Sequence, residues 1–212
     1  MFSDRKEAGR KLAEALEKFE DEDPLVLAIP RGGVEVGYEV ASGLDADFSI
    51  LVTRKLPFPH NPEAGFGAVA EDGTLFMSEG AGKWVDGIEV HRIVEEQKEE
   101  AARRVRALRE GRDLPPLKNR TVILVDDGIA MGSTMTASIM MCRGREAGKI
   151  VVAAPVSGQS TAQRMGELAD EAVILETPPG FRAVAESYEM WYDVPDGEVI
   201  DIFNRWKKTG SG

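Results

Sequence analysis

The chain has 212 residues, enough for one well-cored domain, and its 42% hydrophobic and 30% charged residues are typical of a globular protein. A formal net charge of −11 argues against binding nucleic acid through a broad basic surface. No apolar run is long enough to span a bilayer, and the charged N-terminus lacks a secretory signal pattern. We therefore expect a cytoplasmic protein with neither a nucleic-acid partner nor a membrane partner.

Cysteine and histidine content excludes two further classes of protein. The single Cys142 rules out an internal disulfide framework and suits a reducing compartment. His60 and His91 lack metal-type spacing and have no cysteine partners, so the sequence predicts no structural zinc site.

The first half of the chain opens with a helix and a glycine-bearing loop. Ser3 or Asp4 can cap a helix that runs to about residue 19, and a buried strand is predicted at 25–29. The loop PRGG follows that strand and precedes a second helix. Its two glycines let backbone N–H groups approach an anion closely, and Arg31 can offer a planar fork of donors. The loop is therefore a candidate anion site.

A second candidate segment follows the strand predicted at 47–53. Residues 54–67 contain three prolines and two glycines, which forbid a helix and favour an extended or mobile loop. Arg54 and Lys55 begin this loop and are candidates for chemistry. His60 and Glu63 lie further along, and for these two a solvated loop is an equally good interpretation. The pair Asp72-Gly73 then predicts a hairpin between strands at 68–71 and 74–77.

The run TVILVDDGIAMGSTMTA at 121–137 carries the most specific chemical pattern. It follows a long amphipathic helix predicted at 88–109. A buried strand leads into two adjacent acids, Asp126 and Asp127, and a small-residue loop ends where a helix begins near Ser133. Free N–H groups at a helix N-terminus bind anions, and carboxylates accept hydrogen bonds from sugar hydroxyls. The run predicts a site for a phosphorylated sugar, although two acids that merely end a strand and cap a helix remain the alternative.

The last third of the chain continues the alternation of strand and helix. A strand is predicted at 149–156, a helix capped by Ser160 or Thr161 follows, and a short strand comes at 171–175. Core packing is the favoured use for most of the aromatic residues of the tail, with stacking on a flat acceptor ring as the alternative; these are Phe181, Tyr188, Trp191, Tyr192, Phe203 and Trp206. The class is α/β with a doubly wound, mainly parallel sheet. The chemical loops follow predicted strand ends, where open α/β sheets bind ligands.

The run VILVDDGIAMGST resembles the phosphoribosyl-pyrophosphate (PRPP) signature of the type I phosphoribosyltransferases. PRGG, the NPE-containing loop and the FRAV…WY tail are similar to a subgroup of predicted phosphoribosyltransferases whose acceptors are poorly defined. The resemblance implies one domain over 1–212, with a small hood, a flexible lid loop at about 54–67 and a C-terminal aromatic hood or edge element at about 178–208. Met131 stands where the family usually has Thr or another small polar residue. Ala130 stands where some purine-specific members carry a base, so no general base is carried over.

The activity implied is transfer of the 5-phosphoribosyl group from PRPP to a nitrogenous base, with release of pyrophosphate and with Mg²⁺ as the cofactor that accompanies PRPP. Arg54 and Lys55 would act in catalysis with the two acids, and Arg31 would bind pyrophosphate with the amides of Gly32 and Gly33. The remaining PRPP contacts would come from Asp126, Asp127, Gly128, Ile129, Ala130, Met131, Gly132, Ser133 and Thr134, with Asp127 also a candidate ligand of Mg²⁺. A homodimer is a candidate assembly. A PRPP- or nucleotide-sensing regulator without turnover and a ribosyl-phosphate hydrolase stay open as alternatives.

Overall fold

A computed structural model of the chain describes residues 1–81 and 85–209, without the side chains of Glu63 and Thr209. The helices are α1 (Arg5–Leu16), α2 (Gly33–Gly43), α3 (Gly87–Arg109), α4 (Ser133–Gly144), α5 (Gln159–Leu168) and α6 (Asp196–Thr209). The strands are β1 (Leu25–Ala28), β2 (Asp47–Ile50), β3 (Thr53–Phe58), β4 (Asn61–Ala70), β5 (Leu75–Met77), β6 (Thr121–Val125), β7 (Lys149–Val156) and β8 (Glu171–Glu176). Short 3-10 helices lie at Glu17–Glu22 and Val184–Ser187.

The central sheet has five strands in the order β2-β1-β6-β7-β8, and every neighbouring pair is parallel. β1 and β6 are buried along their whole length because helices cover both faces of the sheet. One face packs against α1, α2 and α6, and the other packs against α4 and α5. The predicted α/β class with a doubly wound, mainly parallel sheet is confirmed.

The strand order changes direction between β1 and β6. From β1 the chain moves outward to β2, whereas from β6 it moves the other way to β7 and β8. Connections on either side of such a point leave a crevice beyond the carboxyl ends of the two strands. The PRGG loop follows β1 and the acid pair follows β6, so both predicted chemical loops meet at this crevice.

Residues 54–67, predicted to be an extended or mobile loop, instead form a hairpin of two paired strands. β3 and β4 pair antiparallel and β5 adds to β4, which gives a second sheet of three strands. Pro57 lies on the edge strand at a shift in register, a position that a strand tolerates. Leu56 and Phe66 are fully buried against α3, and this tertiary contact favours the strands over a mobile loop. The predicted hairpin at Asp72-Gly73 is confirmed between β4 and β5.

The hairpin also moves Arg54 and Lys55 to a different setting from the one predicted. The central strand β2 ends at Ile50, and β3 begins at Thr53 in the second sheet. Arg54 and Lys55 therefore lie within β3, not at the carboxyl end of a central strand.

A buried ion pair between Arg109 and Glu71 ties the two sheets together. The guanidinium of Arg109 donates to both carboxylate oxygens of Glu71, at 2.6 and 2.9 Å, and to the carbonyls of Ile50 and Arg112. Glu71 also accepts the N–H of Val52 at 2.9 Å. The side chains of Arg109 and Glu71 are only 2% and 7% exposed. The pair fixes the end of α3 to the junction where the chain leaves the central sheet for the second one.

The C-terminal tail divides into two parts. Helix α6 packs into the core of one sheet face, with Phe203 buried and the ring of Trp206 5.4 Å from that of Phe48. The preceding residues lie near the carboxyl edge of the central sheet, where Val184 approaches Gly128. Core packing of the tail aromatics is thus confirmed for α6, and the hood role of the earlier residues stays a prediction.

We expect Glu71→Ala to lower the free energy of unfolding by about 3–5 kcal/mol, because it leaves the buried charge of Arg109 without its partner. Urea denaturation followed by circular dichroism measures the change. The control is Glu110→Ala, which removes exposed ion pairs to Arg112 and Lys207 and should cost less than about 1 kcal/mol. Equal losses in the two variants would contradict an anchoring role for the buried pair.

Candidate functional site

A cavity of about 240 Å³ lies at the crevice beyond β6. The second sheet closes one side of it through Lys55 and Gly65, and the loop after the acid pair forms the other side. The lining residues from that loop and from the start of α4 are Asp126, Gly128, Ile129, Ala130, Met131, Gly132, Ser133 and Thr134. The structure thus brings together most of the residues predicted from the sequence as PRPP contacts.

Three side chains beyond the cavity hold three consecutive carbonyls of this loop. They donate from the end of β7 and from α5: Ser157 to Ile129 at 2.8 Å, Thr161 to Ala130 at 2.9 Å, and Arg164 to Met131. Thr161 therefore binds the loop and does not cap α5, whose N-cap is Gly158. The loop is fixed from its outer side, through its backbone.

Fixing the carbonyls also orients the amides. In a trans peptide the N–H points opposite to the preceding carbonyl, so the N–H groups of Ala130, Met131 and Gly132 point away from α5 and toward the cavity. Within the described part of the chain, none of these N–H groups donates to a protein acceptor. The Met131 side chain is 64% exposed. Met131 has no side-chain donor, so the donors at this position come from the backbone.

The start of α4 adds further donors to the same cradle. Gly132 has φ of +75°, and a Cβ there would lie 2.8 Å from the guanidinium of Arg164, so glycine is required. No side chain caps the helix, and the first-turn N–H groups of Ser133 and Thr134 have no partner within it. The positive end of the helix dipole faces the same side. A row of amides at a helix N-terminus is suited to a phosphate group.

The two acids diverge, although they are adjacent in sequence. Asp126 lines the cavity, and one of its oxygens accepts the N–H of Asp127 at 2.9 Å. The carboxylate of Asp127 turns toward the N-terminal helix, where its Oδ2 accepts from Nε of Arg5 at 2.8 Å. The side chain of Asp127 is 14% exposed. The sequence predicted that both acids hold the ribose, with Asp127 also a candidate ligand of Mg²⁺, whereas the structure gives them different surroundings.

The glycines of the PRGG loop are needed because the loop packs directly on the acid pair. A Cβ on Gly32 would overlap Oδ2 of Asp127, and a Cβ on Gly33 would lie 2.8 Å from Cα of Asp126. The peptide bond between Pro30 and Arg31 is cis. The two candidate loops therefore form one continuous surface at the carboxyl ends of β1 and β6.

Positive charge gathers beside that surface. Arg31 lies 3.7 Å from Asp196, and Nε of Arg54 donates to Gln97 at 3.2 Å. Burial lowers the pKa of Arg54, and the guanidinium groups of Arg104, Arg103 and Arg31 lower it further, while the carboxylate of Glu100 opposes the shift. The sequence predicted α3 only as a long amphipathic helix, so the contribution of its arginines was missed. Nothing in their spacing sets them apart from the other charges of the helix.

Among the described side chains of the hairpin, those of Arg54 and His60 do not line the cavity. His60 is exposed at the turn between β3 and β4 and is not among the lining residues. The side chain of Glu63 lies outside the described residues. Lys55 is the candidate of this segment that lines the cavity.

Sequence reasoning also missed Arg5 and Tyr188, which contact Asp127 from two sides. Arg5 is 3% exposed although it opens a highly charged helix, and the hydroxyl of Tyr188 donates to the backbone carbonyl of Asp127 at 2.6 Å. Burial raises the pKa of the Tyr188 phenol, so it remains a neutral donor. Arg5 and Asp127 are 122 positions apart, and no local pattern signals such a contact.

The donor set fits a cation that arrives with a ligand rather than one held by a protein cage. Among the described residues, no group of three or more His, Cys, Asp and Glu side chains is placed to hold a metal. Asp126 offers a carboxylate to the cavity, while one oxygen of Asp127 is engaged by Arg5. Mg²⁺ is commonly bound by one or two carboxylates together with substrate phosphates, and this site suits that arrangement.

Burial raises the pKa of Asp126 well above the ordinary carboxyl value, and the adjacent charge of Asp127 raises it further. Burial also raises the pKa of Asp127, but the guanidinium of Arg5 opposes that rise. In the ligand-free protein, Asp126 is thus the acid that holds a proton most readily. A charged ligand group or cation that enters the cavity would relieve the repulsion between the two acids.

The raised pKa of Asp126 predicts how stability depends on pH. The folded protein binds the Asp126 proton more tightly than the unfolded chain does, so the contribution of this group is lost as pH rises from about 4 through the raised pKa. Asp126→Asn removes this titrating group and its pH-dependent contribution to stability. We expect the stability of the variant relative to the parent to increase between pH 5 and pH 8, by about 1.4 kcal/mol for each pH unit over which the folded parent alone keeps the proton.

Thermal unfolding across that pH range measures the difference between parent and variant. The control is Asp21→Asn, at an exposed acid of the Glu17–Glu22 helix. If the stability difference between the parent and Asp126→Asn changed with pH as little as the difference between the parent and the control, burial would not raise the pKa of Asp126.

Three similarities to known proteins identify the family. The family model described as Phosphoribosyl transferase domain matches residues 4–178. Proteins from two strains of Mycobacterium tuberculosis, both named as candidate phosphoribosyl transferases, are 39% identical over 207 residues. That alignment covers 97% of this chain and 47% of each relative, so the chain spans about half the length of these curated relatives. The crystal structure of TT1426 from Thermus thermophilus is 36% identical, with a TM-score of 0.82 and coverage of 97% of this chain and 99% of that one. The chain belongs to the phosphoribosyl transferase domain family, as the resemblance of its sequence predicts.

Proposed function

We propose that the protein transfers the 5-phosphoribosyl group from PRPP to a nitrogenous base and releases pyrophosphate. The observation that carries the proposal is the cradle of unpaired amides at the start of α4, placed beside the carboxylate of Asp126 in one cavity. Membership of the family supports transfer of a phosphoribosyl group in general. The identity of the base is left open.

The 5-phosphate of PRPP would bind in the cradle formed by residues 130–134. The amides there point toward the cavity, and the hydroxyls of Ser133 and Thr134 can add hydrogen bonds. These donors are local, so they suit an anion even in a protein with a net charge of −11. Because the backbone supplies most of them, Met131 is compatible with phosphate binding.

The acid pair would hold the ribose. Asp126 would accept a hydrogen bond from one ribose hydroxyl, and Asp127 would accept from the other through the oxygen that Arg5 does not use. As the bond to pyrophosphate lengthens, positive charge develops at the anomeric carbon. Carboxylates already fixed nearby stabilise that charge without having to reorganise. Holding the ribose in one orientation contributes further by positioning.

The pyrophosphate would leave toward the PRGG loop. The backbone of Gly32 and Gly33 and the guanidinium of Arg31 would bind it, with Arg54 beside them. Lys55 would act from the hairpin side of the cavity. Mg²⁺ bound together with PRPP would neutralise part of the pyrophosphate charge. The proposed lid function of residues 54–67 would fall to the β3–β4 hairpin, which carries both cationic residues.

The location and the assembly of the protein are also proposals. We propose a cytoplasmic location, which the buried free thiol of Cys142 suits. Among the described helices, none combines the length and apolar character needed to cross a bilayer. One domain over residues 1–212 and assembly as a homodimer stay predictions.

A second candidate function is a PRPP sensor that does not turn over its ligand. The observation that favours it is the composition of the cavity lining, where Lys55 and Asp126 are the ionisable side chains among the described residues. No lining residue offers an evident general base for an acceptor nitrogen. A sensor would still need the phosphate cradle and the acid pair.

We expect the full chain, incubated with PRPP, Mg²⁺ and a panel of purine, pyrimidine and other nitrogenous bases, to release pyrophosphate only with its proper acceptor. Asp126→Asn should lower kcat/KM by about 10²–10³, the loss typical of one group that stabilises transition-state charge. Asp21→Asn should match the parent. Coupled detection of pyrophosphate together with chromatography of the nucleotide product measures both.

The other outcomes of this experiment distinguish a sensor, a hydrolase and a protein that does not bind PRPP. Binding of PRPP without turnover on any base would support the sensor, and pyrophosphate release without an added base would indicate a hydrolase. Failure to bind PRPP at millimolar concentration would contradict the proposed function itself.

A further inference from the structure

Arg5 carries a buried charge in this site, and the proposed transfer gives it no role of its own. It is 3% exposed and lies between Asp127, the PRGG loop and the C-terminal tail. Its Nε donates to Oδ2 of Asp127, and its guanidinium carbon lies 4.1 Å from the centre of the Trp191 ring. The rings of Tyr192 and Tyr188 lie at 5.4 and 5.9 Å. Arg5 therefore connects an acid of the site to an aromatic cluster of the tail.

Two segments hold this arrangement in place, one at the start of the described chain and one in the tail before α6. Residues 2–3 pair with the backbone of residues 187–190 through three hydrogen bonds of 2.8–2.9 Å, from Phe2 to Ser187, from Glu189 to Phe2 and from Met190 to Ser3. The rings of Phe2 and Tyr188 lie 5.7 Å apart. Tyr188 in turn donates to the backbone of Asp127. Both the side chain and the backbone of Asp127 are thus fixed by these two segments.

Space around Asp127 is limited on its other side. The carboxylate lies so close to Gly32 that no Cβ could be accommodated there. Asp127 is therefore held between the PRGG loop and Arg5, and the loss of Arg5 would open room for the acid to move. The phosphate cradle at 130–134 is fixed separately, through Thr161 and Arg164 of α5. A substitution of Arg5 can thus change the position of the Asp127 carboxylate without changing the cradle.

Stability alone does not account for this pair. A buried ion pair contributes little net stability, because desolvation of both charges offsets their attraction. One nitrogen of Arg5, Nη1, is also buried without a hydrogen-bond partner among the described residues, which is unfavourable. The planar guanidinium can stack on Trp191 and bond to Asp127 at once, and a lysine ammonium cannot do both. The arrangement favours orientation of the acid over stability.

We propose that Arg5 is a positioning residue for sugar recognition: it holds Asp127 by one oxygen so that the other oxygen meets the diol of the ribose. The inference rests on the proposed function, since it takes the ligand to be PRPP. It assigns distinct tasks to the two acids, with Asp126 exposed to the cavity and Asp127 fixed by Arg5. It also gives the N-terminal helix and the tail a part in sugar recognition.

The test compares ligands with and without the full diol. We expect the parent chain to bind ribose 5-phosphate more tightly than 2-deoxyribose 5-phosphate in titration calorimetry. Arg5→Met should weaken the binding of ribose 5-phosphate by about tenfold or more, the range expected for a hydrogen bond to a charged group. It should also abolish the preference for ribose 5-phosphate over 2-deoxyribose 5-phosphate. Inorganic phosphate, which probes the cradle alone, should bind as before. Arg5→Lys should restore part of the preference.

The matched control is Arg10→Met on the same helix, where Arg10 is 60% exposed and lies 3.9 Å from Glu39. It should leave all three affinities unchanged. If Arg5→Met does not fold, Trp191→Leu provides the second variant, because it removes the stacking surface while leaving Arg5 and Asp127 in place. It should reduce the preference for ribose 5-phosphate in the same direction but by less.

The outcomes separate this inference from the function on which it rests. A parent chain that binds neither PRPP nor ribose 5-phosphate would overturn the proposed function, and the inference with it. A parent with a clear preference that persists in Arg5→Met, or in Trp191→Leu when the former does not fold, would overturn the role of Arg5 alone. Equal weakening of all three ligands would also overturn it, since that result indicates a general structural effect.

Discussion

The organisation of this site depends on a single electrostatic constraint: two adjacent carboxylates in a half-buried crevice repel each other unless a cation or a proton intervenes. The fold meets the constraint with two different solutions. Arg5 supplies a positive charge to Asp127, whereas Asp126 faces the cavity with a raised pKa. The repulsion that remains is available to favour a ligand that brings hydroxyl donors or a cation. The pair also packs so closely against the PRGG loop that no side chain fits at Gly32.

The proposed phosphate cradle depends on a separate feature, a row of backbone donors, and this feature is compatible with Met131. Side chains from β7 and α5 bind the carbonyls of the loop on its outer side, and the amides consequently face the cavity. The proposed ligand surface of this loop is its backbone, and the Met131 side chain is not needed to form it. The acid pair and the cradle are therefore supported by different elements, the first by the N-terminal segment and the tail before α6 and the second by α5.

Local sequence patterns predicted the central part of this arrangement and missed the contacts that only the fold creates. The strand, acids, glycine and helix of the 121–137 run were predictable because each depends on neighbouring residues, and β7 has the predicted bounds 149–156. The β3–β4 hairpin was wrongly predicted as a loop because burial of Leu56 and Phe66 against α3 overrides the prolines. Arg5 was missed because its partner is 122 residues away. The different environments of the two acids were missed for the same reason.

We propose that one crevice binds the phosphate through the amides of residues 130–134 and the sugar through the acid pair. A crystal structure of the full chain with PRPP and Mg²⁺ tests it most directly. The account predicts that the 5-phosphate lies within hydrogen-bond distance of the amides of residues 130–134, with a ribose hydroxyl bonded to Asp126. A 5-phosphate bound at Arg31 and Arg54, with the ribose out of reach of Asp126, would contradict it.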